Sequence, residues 1–268
     1  MIQGLWVALP NVYETMSPLG LKSFINTLFD RGADGLFVLG TTGLGPDYSV
    51  SMRKQYLEAI LAVVPQSSSI VVNVSANSSQ DARQLAEHAI SLGIKQIALT
   101  PPFYGRYKKE ELLIWLDDIV SCLENSFDLY MYIIPVATMT VWDPEILSEV
   151  QAKVIKISGI KYSNVSIAEL NMLLQWSEKH NACLLVGDER MTLISYMLGG
   201  SGVVSGLASI HTEKMSNLVD LCKRRSWEQA IEAQKLVNEL LLGFYGLSLR
   251  EVTGLLARQV RNVYEHNG

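Results

Sequence analysis

Eight short apolar runs recur along the chain, each followed by a stretch whose apolar residues return every three or four positions, and this alternation restricts the fold more than any other feature. The runs predict strands at Gly4–Leu9, Gly35–Leu39, Ile70–Val74, Gln96–Thr100, Leu129–Ile134, Val154–Ile160, Ala182–Val186 and Gly202–Ser205. The intervening segments have one buried helical face, as in Leu21, Phe24, Ile25, Leu28 and Phe29, or Ala82, Leu85, Ala86, Ala89 and Ile90. Ser17 ahead of Pro18 supplies a helix start, while Gly32 and Gly93 can take the left-handed conformation that ends one. Strand and helix alternating with short connections imply right-handed crossovers and a parallel (β/α)8 TIM barrel; an open doubly wound sheet is the alternative.

The expected domain covers residues 1–268, since no linker, low-complexity tract or charge run divides them. The barrel strands and helices are expected in 1–210 and additional C-terminal helices in 211–268, at Glu213–Arg224, Trp227–Leu242 and Leu247–His266. A 268-residue chain that is 49% hydrophobic can bury a core of that size. Its net charge of −5 is spread along the sequence, which argues against nucleic-acid or acidic-membrane partners. Cys122, Cys183 and Cys222 have no Cys-x-x-Cys spacing, and the odd number fits a reduced compartment. The start, Met1-Ile2-Gln3-Gly4-Leu5-Trp6, lacks a basic region ahead of an apolar one, and no apolar run reaches about 18 residues. The expectation is an unexported, cytoplasmic chain without a membrane span.

In a parallel barrel the loops after the strands build one face, and three groups fall there. Gly40-Thr41-Thr42-Gly43 follows the second strand, Tyr132 lies near the end of the fifth, and Lys161 closes the sixth. Strand parity places Lys161 with Gly159, Ile157 and Ile155, and sends Lys156 to the other side. Each residue also has a plain structural reading: a solvated strand end for Lys161, a packed aromatic for Tyr132, a strand-to-helix turn for the Thr-Thr segment. Together they have a chemical one. An amine in an apolar mouth is disfavoured as ammonium and can attack a carbonyl, a phenol beside it can pass protons, and hydroxyls with backbone N–H groups suit a carboxylate. The combination reads as an enzyme that forms a Schiff base with a keto acid.

Other chemistries fit less well. Gly40, Gly43 and Gly45 reverse the spacing of a dinucleotide fingerprint, and no Gly-x4-Gly-Lys-Ser/Thr loop occurs. His88, His180, His211 and His266 are scattered, so no metal site is expected. Asp188-Glu189 after the seventh strand has two readings, as a cation ligand or base and as a helix cap or supporting hydrogen bond. Gly199-Gly200-Ser201-Gly202 precedes the eighth strand and belongs on the face opposite the chemistry.

The Gly40–Gly43 turn, Tyr132-Ile133-Ile134-Pro135 and Gly159-Ile160-Lys161, in that order on strands two, five and six, resemble the dihydrodipicolinate synthase/N-acetylneuraminate lyase family of class I aldolases. Gly187-Asp188 and Gly202-Val203-Val204-Ser205 resemble its later strands. The resemblance implies that Lys161 forms a Schiff base with pyruvate, Tyr132 shuttles protons, and Thr41 and Thr42 hold the carboxylate or join the relay. It implies a substrate site that includes Gly40, Thr41, Thr42, Gly43, Tyr104, Arg106, Gly187, Val204 and Ser205, no cofactor, and a homo-oligomer, a tetramer. Leu44-Gly45-Pro46 resembles the archaeal-type 2-keto-3-deoxygluconate aldolases, and Val136-Ala137-Thr138 lacks the arginine that the lysine-pathway synthases carry there. Phe103 stands where the family's relay tyrosine is expected, with Tyr104 beside it; Ile133 and Tyr162 are further departures. The implied reaction joins pyruvate to an aldehyde or cleaves a 2-keto-3-deoxy sugar acid. Alternatives are dihydrodipicolinate synthesis, sialic-acid cleavage, a sugar-acid dehydratase and a catalytically silent keto-acid-binding barrel.

Overall fold

The computed structural model describes residues 2–65, 69–123 and 127–264. Its strands are β1 (Gly4–Ala8), β2 (Gly35–Val38), β3 (Ile70–Asn73), β4 (Gln96–Leu99), β5 (Asp128–Ile133), β6 (Ile157–Tyr162), β7 (Cys183–Val186) and β8 (Gly202–Ser205). The helices are α1 (Pro18–Asp30), α2 (Val50–Leu61), α3 (Ser79–Ser91), α4 (Lys109–Val120), α5 (Pro144–Lys153), α6 (Ile167–His180), α7 (Thr192–Met197), α8 (Ala208–Lys223), α9 (Trp227–Leu241) and α10 (Leu249–Tyr264). Each strand pairs in parallel with the next, and β1 with β8, so the sheet closes on itself. This is the expected TIM barrel; an open sheet would leave β1 and β8 as edges.

Two apolar layers follow from strand alternation. Leu5, Val7, Leu36, Val38, Ile160 and Tyr162 face outward into the layer shared with the helices. Trp6, Phe37, Val71, Tyr130, Cys183 and Leu185 fill the inside of the barrel. The α1 boundaries follow the sequence signals. Ser17 accepts a hydrogen bond from the Gly20 amide at 3.1 Å, Pro18 opens the helix, and Gly32 follows its end at φ +93.

The sixth strand differs from expectation. Asp143 accepts from the Ile146 amide at 2.8 Å and starts α5, which runs until the Val154 and Ile155 amides both donate to the Val150 carbonyl, at 2.9 and 3.1 Å. Those β-branched residues therefore close a helix, and the strand begins at Ile157. The pairing of β5 with β6 also slips: Leu129 pairs with Ile157 but Tyr130 with Gly159, leaving Ser158 as an extra residue. Ile157 consequently joins Ile160 and Tyr162 in the outer layer. The parity line from Ile155 to Lys161 is broken at Ser158, and Lys161 keeps company with Gly159 alone. Lys161 also lies one residue before the end of β6.

The expected helix at Glu213–Arg224 is the second part of α8, which begins at Ala208 and packs on β1 and β8 as the eighth barrel helix, across the expected 210/211 division. The additional helices are thus α9 and α10. Residues 265 and 266 of the expected last helix, His266 included, lie outside the described residues, and no single described helix is long and apolar enough to cross a membrane.

Candidate active site

β5 and β6 run side by side with Tyr132 paired to Lys161, which sets the amine beside the phenol. The Lys161 Nζ lies 3.9 Å from the centroids of both the Tyr132 and Phe37 rings, and the residue is only 6% exposed. Burial disfavours the ammonium and holds Lys161 below the ordinary lysine range, although the Tyr132 oxygen and Glu189 act in the opposite sense. Burial also acts to raise the Tyr132 phenol, but the Lys161 charge and hydrogen bonds to Thr41, Ser163 and Lys161 outweigh it and hold the phenol below its ordinary value. The amine is thereby made easier to obtain unprotonated, and it stands next to a group able to exchange a proton with it.

Thr41 reaches this pair, its Oγ1 lying 3.2 Å from the Tyr132 hydroxyl. In the turn that carries it the glycines are not the left-handed residues. Its left-handed residues are Leu39 at φ +58 and Leu44 at φ +53, while the glycines provide space. A Cβ on Gly40 would stand 2.6 Å from the Phe37 ring, and one on Gly45 only 1.8 Å from the Leu39 carbonyl oxygen. Gly43 approaches backbone too, with a Cβ there 3.0 Å from the Leu9 carbonyl oxygen. Thr42 lies near the end of β8: a Cβ on Gly206 would be 3.4 Å from its Oγ1.

Above the pair opens a cavity of about 220 Å³. Thr41, Leu44, Pro46 and Asp47 line one side, Asn73, Thr100 and Phe103 another, and Ile134, Ala137 and Thr138 a third; Leu249 and Arg250 at the start of α10 complete the mouth. Tyr132 lines it as well, whereas Lys161 does not and belongs to the layer beneath. The lining is mainly apolar, punctuated by amide and hydroxyl groups, and its mouth carries a single ion pair, Arg250 to Asp47 at 3.1 Å. Asn73 and Thr100 are polar residues at strand ends and so were visible in principle; Arg250 lies far along the chain from every motif and gave no signal.

Several expected site residues sit elsewhere. Tyr104 is 86% exposed and Arg106 is exposed, both outside the cavity lining, on a loop whose Phe103 and Tyr104 amides donate to Asn77 Oδ1 at 2.8 and 3.0 Å. Phe103, the departure from the family pattern, is the one that faces the cavity. Ser205 is fully buried and donates to Glu189 Oε1 at 2.7 Å while accepting from the Ala208 amide at 2.9 Å, so its hydroxyl is engaged in the loop rather than offered to a ligand. Val204 is part of the inner apolar cluster that also holds Tyr132 and Ile134. Gly187 matters through its bareness, because a Cβ there would stand 1.9 Å from Ser163 Oγ and 3.1 Å from Lys161 Cε. Of the acidic pair, Asp188 caps the turn through the Arg190 amide and binds the Arg190 guanidinium, and Glu189 supports the β8 end through Ser205 and the Leu207 amide at 3.0 Å. Both follow the capping and supporting reading. No cluster of metal-ligating side chains occurs among the described residues.

A closed parallel barrel with a buried lysine and a tyrosine side by side on adjacent strands is an enzyme architecture, with the chemistry at the C-terminal ends of the strands. Residues 5–245 match the dihydrodipicolinate synthetase family, and the chain belongs to it. It is a carbon–carbon lyase of the class I aldolase type. Among its relatives, 4-hydroxy-tetrahydrodipicolinate synthase of Methanococcus maripaludis is 24% identical over 213 residues, 80% of this chain and 72% of the relative. N-acetylneuraminate lyase of Rattus norvegicus is 24% identical over 225 residues, 82% of this chain and 70% of the relative. Among solved structures, 2-keto 3-deoxygluconate aldolase from Picrophilus torridus superposes with a TM-score of 0.87 at 22% identity, covering 98% of this chain and 94% of that one, a likeness of fold.

Proposed function

We propose that this enzyme is a pyruvate-dependent aldolase that uses a lysine Schiff base to cleave 2-keto-3-deoxygluconate to pyruvate and glyceraldehyde. The observation that carries the reading is the buried Lys161 amine 3.9 Å from the Tyr132 ring centroid, with Thr41 on the Tyr132 hydroxyl, beneath a cavity whose polar groups are mostly neutral. Lys161 Nζ adds to C2 of the keto acid, and the carbinolamine loses water as Tyr132 supplies a proton to the departing oxygen. Loss of the C4 hydroxyl proton then breaks the C3–C4 bond. Glyceraldehyde leaves, and the electron pair is held as the enamine of the Lys161 adduct. Protonation at C3 and hydrolysis release pyruvate and restore the amine. The imine is the electron sink, so no cofactor is required, and chelation should leave turnover unchanged.

The cavity supports an unphosphorylated sugar acid. Ala137 and Thr138 form the wall after β5 without a cation, Arg106 stands outside, and Arg250 is already paired with Asp47. A phosphate ester requires concentrated positive charge. A second reading, condensation of pyruvate with a carboxylated aldehyde such as aspartate semialdehyde, is supported by the 4-hydroxy-tetrahydrodipicolinate synthases among the relatives. We further propose that the enzyme works in the cytoplasm as a homo-oligomer.

Pyruvate plus borohydride followed by peptide mass mapping should add one reduced adduct, at Lys161. No adduct on the folded protein, or labelling at another lysine, would sink the mechanism. Comparing kcat/KM for 2-keto-3-deoxygluconate, its 6-phosphate, and condensation with aspartate semialdehyde separates the substrate readings; a preference for either anionic partner would overturn the choice made here.

A further inference from the structure

Arg53 on α2 is only 3% exposed, yet its charge meets no carboxylate at hydrogen-bonding distance among the described residues. Its guanidinium instead grips two carbonyls at the end of β3 and just past it: one terminal nitrogen donates to the Ser75 carbonyl at 2.7 Å, the other to the Asn73 carbonyl at 2.6 Å. Burying a cation is costly, and burial pulls this one down to about 10. A side chain that served packing alone would not need the charge.

The carbonyls it holds belong to residues that do further work. The Asn73 side chain donates through Nδ2 to the Leu39 carbonyl at 2.9 Å and accepts at Oδ1 from the Ser75 hydroxyl at 2.7 Å. Ser75 Oγ in turn accepts from the Thr100 amide at 2.8 Å. One guanidinium thus fastens the ends of β2, β3 and β4 to each other. The link to Leu39 is the telling one, because Leu39 is left-handed at φ +58, a conformation that costs a leucine about 1–2 kcal/mol and persists only where its surroundings enforce it. Two residues further on is Thr41, whose Oγ1 lies 3.2 Å from the Tyr132 hydroxyl.

We infer that Arg53 is a positioning residue for the reaction proposed above: acting through Asn73, it holds Leu39 in its left-handed state and so keeps the Thr41 hydroxyl on Tyr132. Arg53 touches neither the cavity nor the amine, and it acts along a chain of hydrogen bonds. The inference rests on the proposed Schiff-base chemistry, and the experiment separates the two.

Borohydride trapping of pyruvate on the wild-type enzyme tests the chemistry. The rate of imine formation is then measured for Arg53→Lys, for Thr41→Val and for the double variant, with thermal unfolding recorded for each. Arg53→Lys is expected to slow imine formation by about 10–100-fold, the scale of a sub-ångström to 1 Å misplacement. In the Thr41→Val background, where there is no hydroxyl left to position, the same substitution should change the rate by less than about threefold. A merely structural Arg53 would slow both backgrounds equally, and that additive result overturns the inference while leaving the chemistry standing. If wild-type enzyme is not trapped, both fall. Should Arg53→Lys not fold, Asn73→Asp replaces it: the shape is kept, the donor to Leu39 is lost and a carboxylate takes its place at the cavity wall. A direct effect of that charge on the substrate would add to that of Thr41→Val, so the same non-additivity is expected and additivity again counts against.

Discussion

Gly187→Ala separates activity from stability in a way the geometry makes calculable. The new methyl would stand 1.9 Å from Ser163 Oγ, which can rotate away, and 3.1 Å from both Lys161 Cε and Ser163 Cβ, each of which needs to give by only a few tenths of an ångström. Neither neighbour is backbone, so the fold accommodates the change for about 1 kcal/mol and Tm falls by about 2–4 °C. Function has less room. Ser163 is one of the groups hydrogen-bonded to Tyr132 that lower its phenol, and rotation breaks that bond. A hydrogen bond to a charged or partly charged group is worth about 1.5–3 kcal/mol, so imine formation with pyruvate should slow by about 10–150-fold. Quenched-flow mixing with pyruvate, borohydride trapping at timed intervals and intact-mass detection read the rate directly and need no aldehyde partner. A variant that forms the imine within threefold of wild type would refute the role given to Ser163 and Tyr132. One that loses Tm by more than about 10 °C would show that the methyl is not accommodated locally.

Three further outcomes are expected. Tyr132→Phe should fold normally and still be trapped slowly by pyruvate and borohydride, with kcat lowered about 10²–10⁴-fold; near wild-type turnover would make Tyr132 a packing residue. Lys161→Met should raise Tm at pH 7, because the folded-state amine is depressed below the ordinary value of 10.5: the fold disfavours the ammonium that the unfolded chain carries freely, and the lysine costs stability at every pH below that value. That gain should shrink as pH approaches 10.5, and a gain constant with pH, followed by differential scanning calorimetry, would contradict the assignment. Asp47→Asn frees Arg250 from its 3.1 Å partner and should improve kcat/KM for the 6-phosphate relative to the unphosphorylated acid by about 2–5-fold, the scale of an exposed ion pair; an unchanged ratio would remove Arg250 from substrate choice.

What the sequence made legible was whatever repeats or lies within a few residues. Alternation located all eight strands, and Ser17, Pro18 and Gly32 marked the first helix because capping is local chemistry. Lys161 and Tyr132 were each visible as a polar group at the end of an apolar run, and the structure sets them on paired strands. The inward direction of Lys161 was reached by a parity argument that ignored Ser158, since an extra residue in one strand depends on its partner and leaves no periodic trace. Val154 and Ile155 carry strand propensity but close the end of α5, which the Asp143 cap starts and so phases from the other end. Ser205 looked available because nothing near it in sequence shows that Glu189, from the preceding strand's loop, already holds its hydroxyl. Arg250 enters the site from a helix that no barrel repeat foretells.

The inner cluster of Ile2, Trp6, Tyr130 and Cys183 fills the barrel on the side away from the cavity. Among the described residues the way to Lys161 is therefore from the cavity side, past Tyr132 and Thr41. For the proposed cleavage this turns architecture into kinetic order: the three-carbon fragment bound to nitrogen is the inner one, and the aldehyde lies between it and solvent. Glyceraldehyde departs first and pyruvate last, so pyruvate acts as a competitive product inhibitor against the sugar acid while the aldehyde does not. A cell that accumulates pyruvate would slow this enzyme through occupancy of its free form, with no separate regulatory site involved.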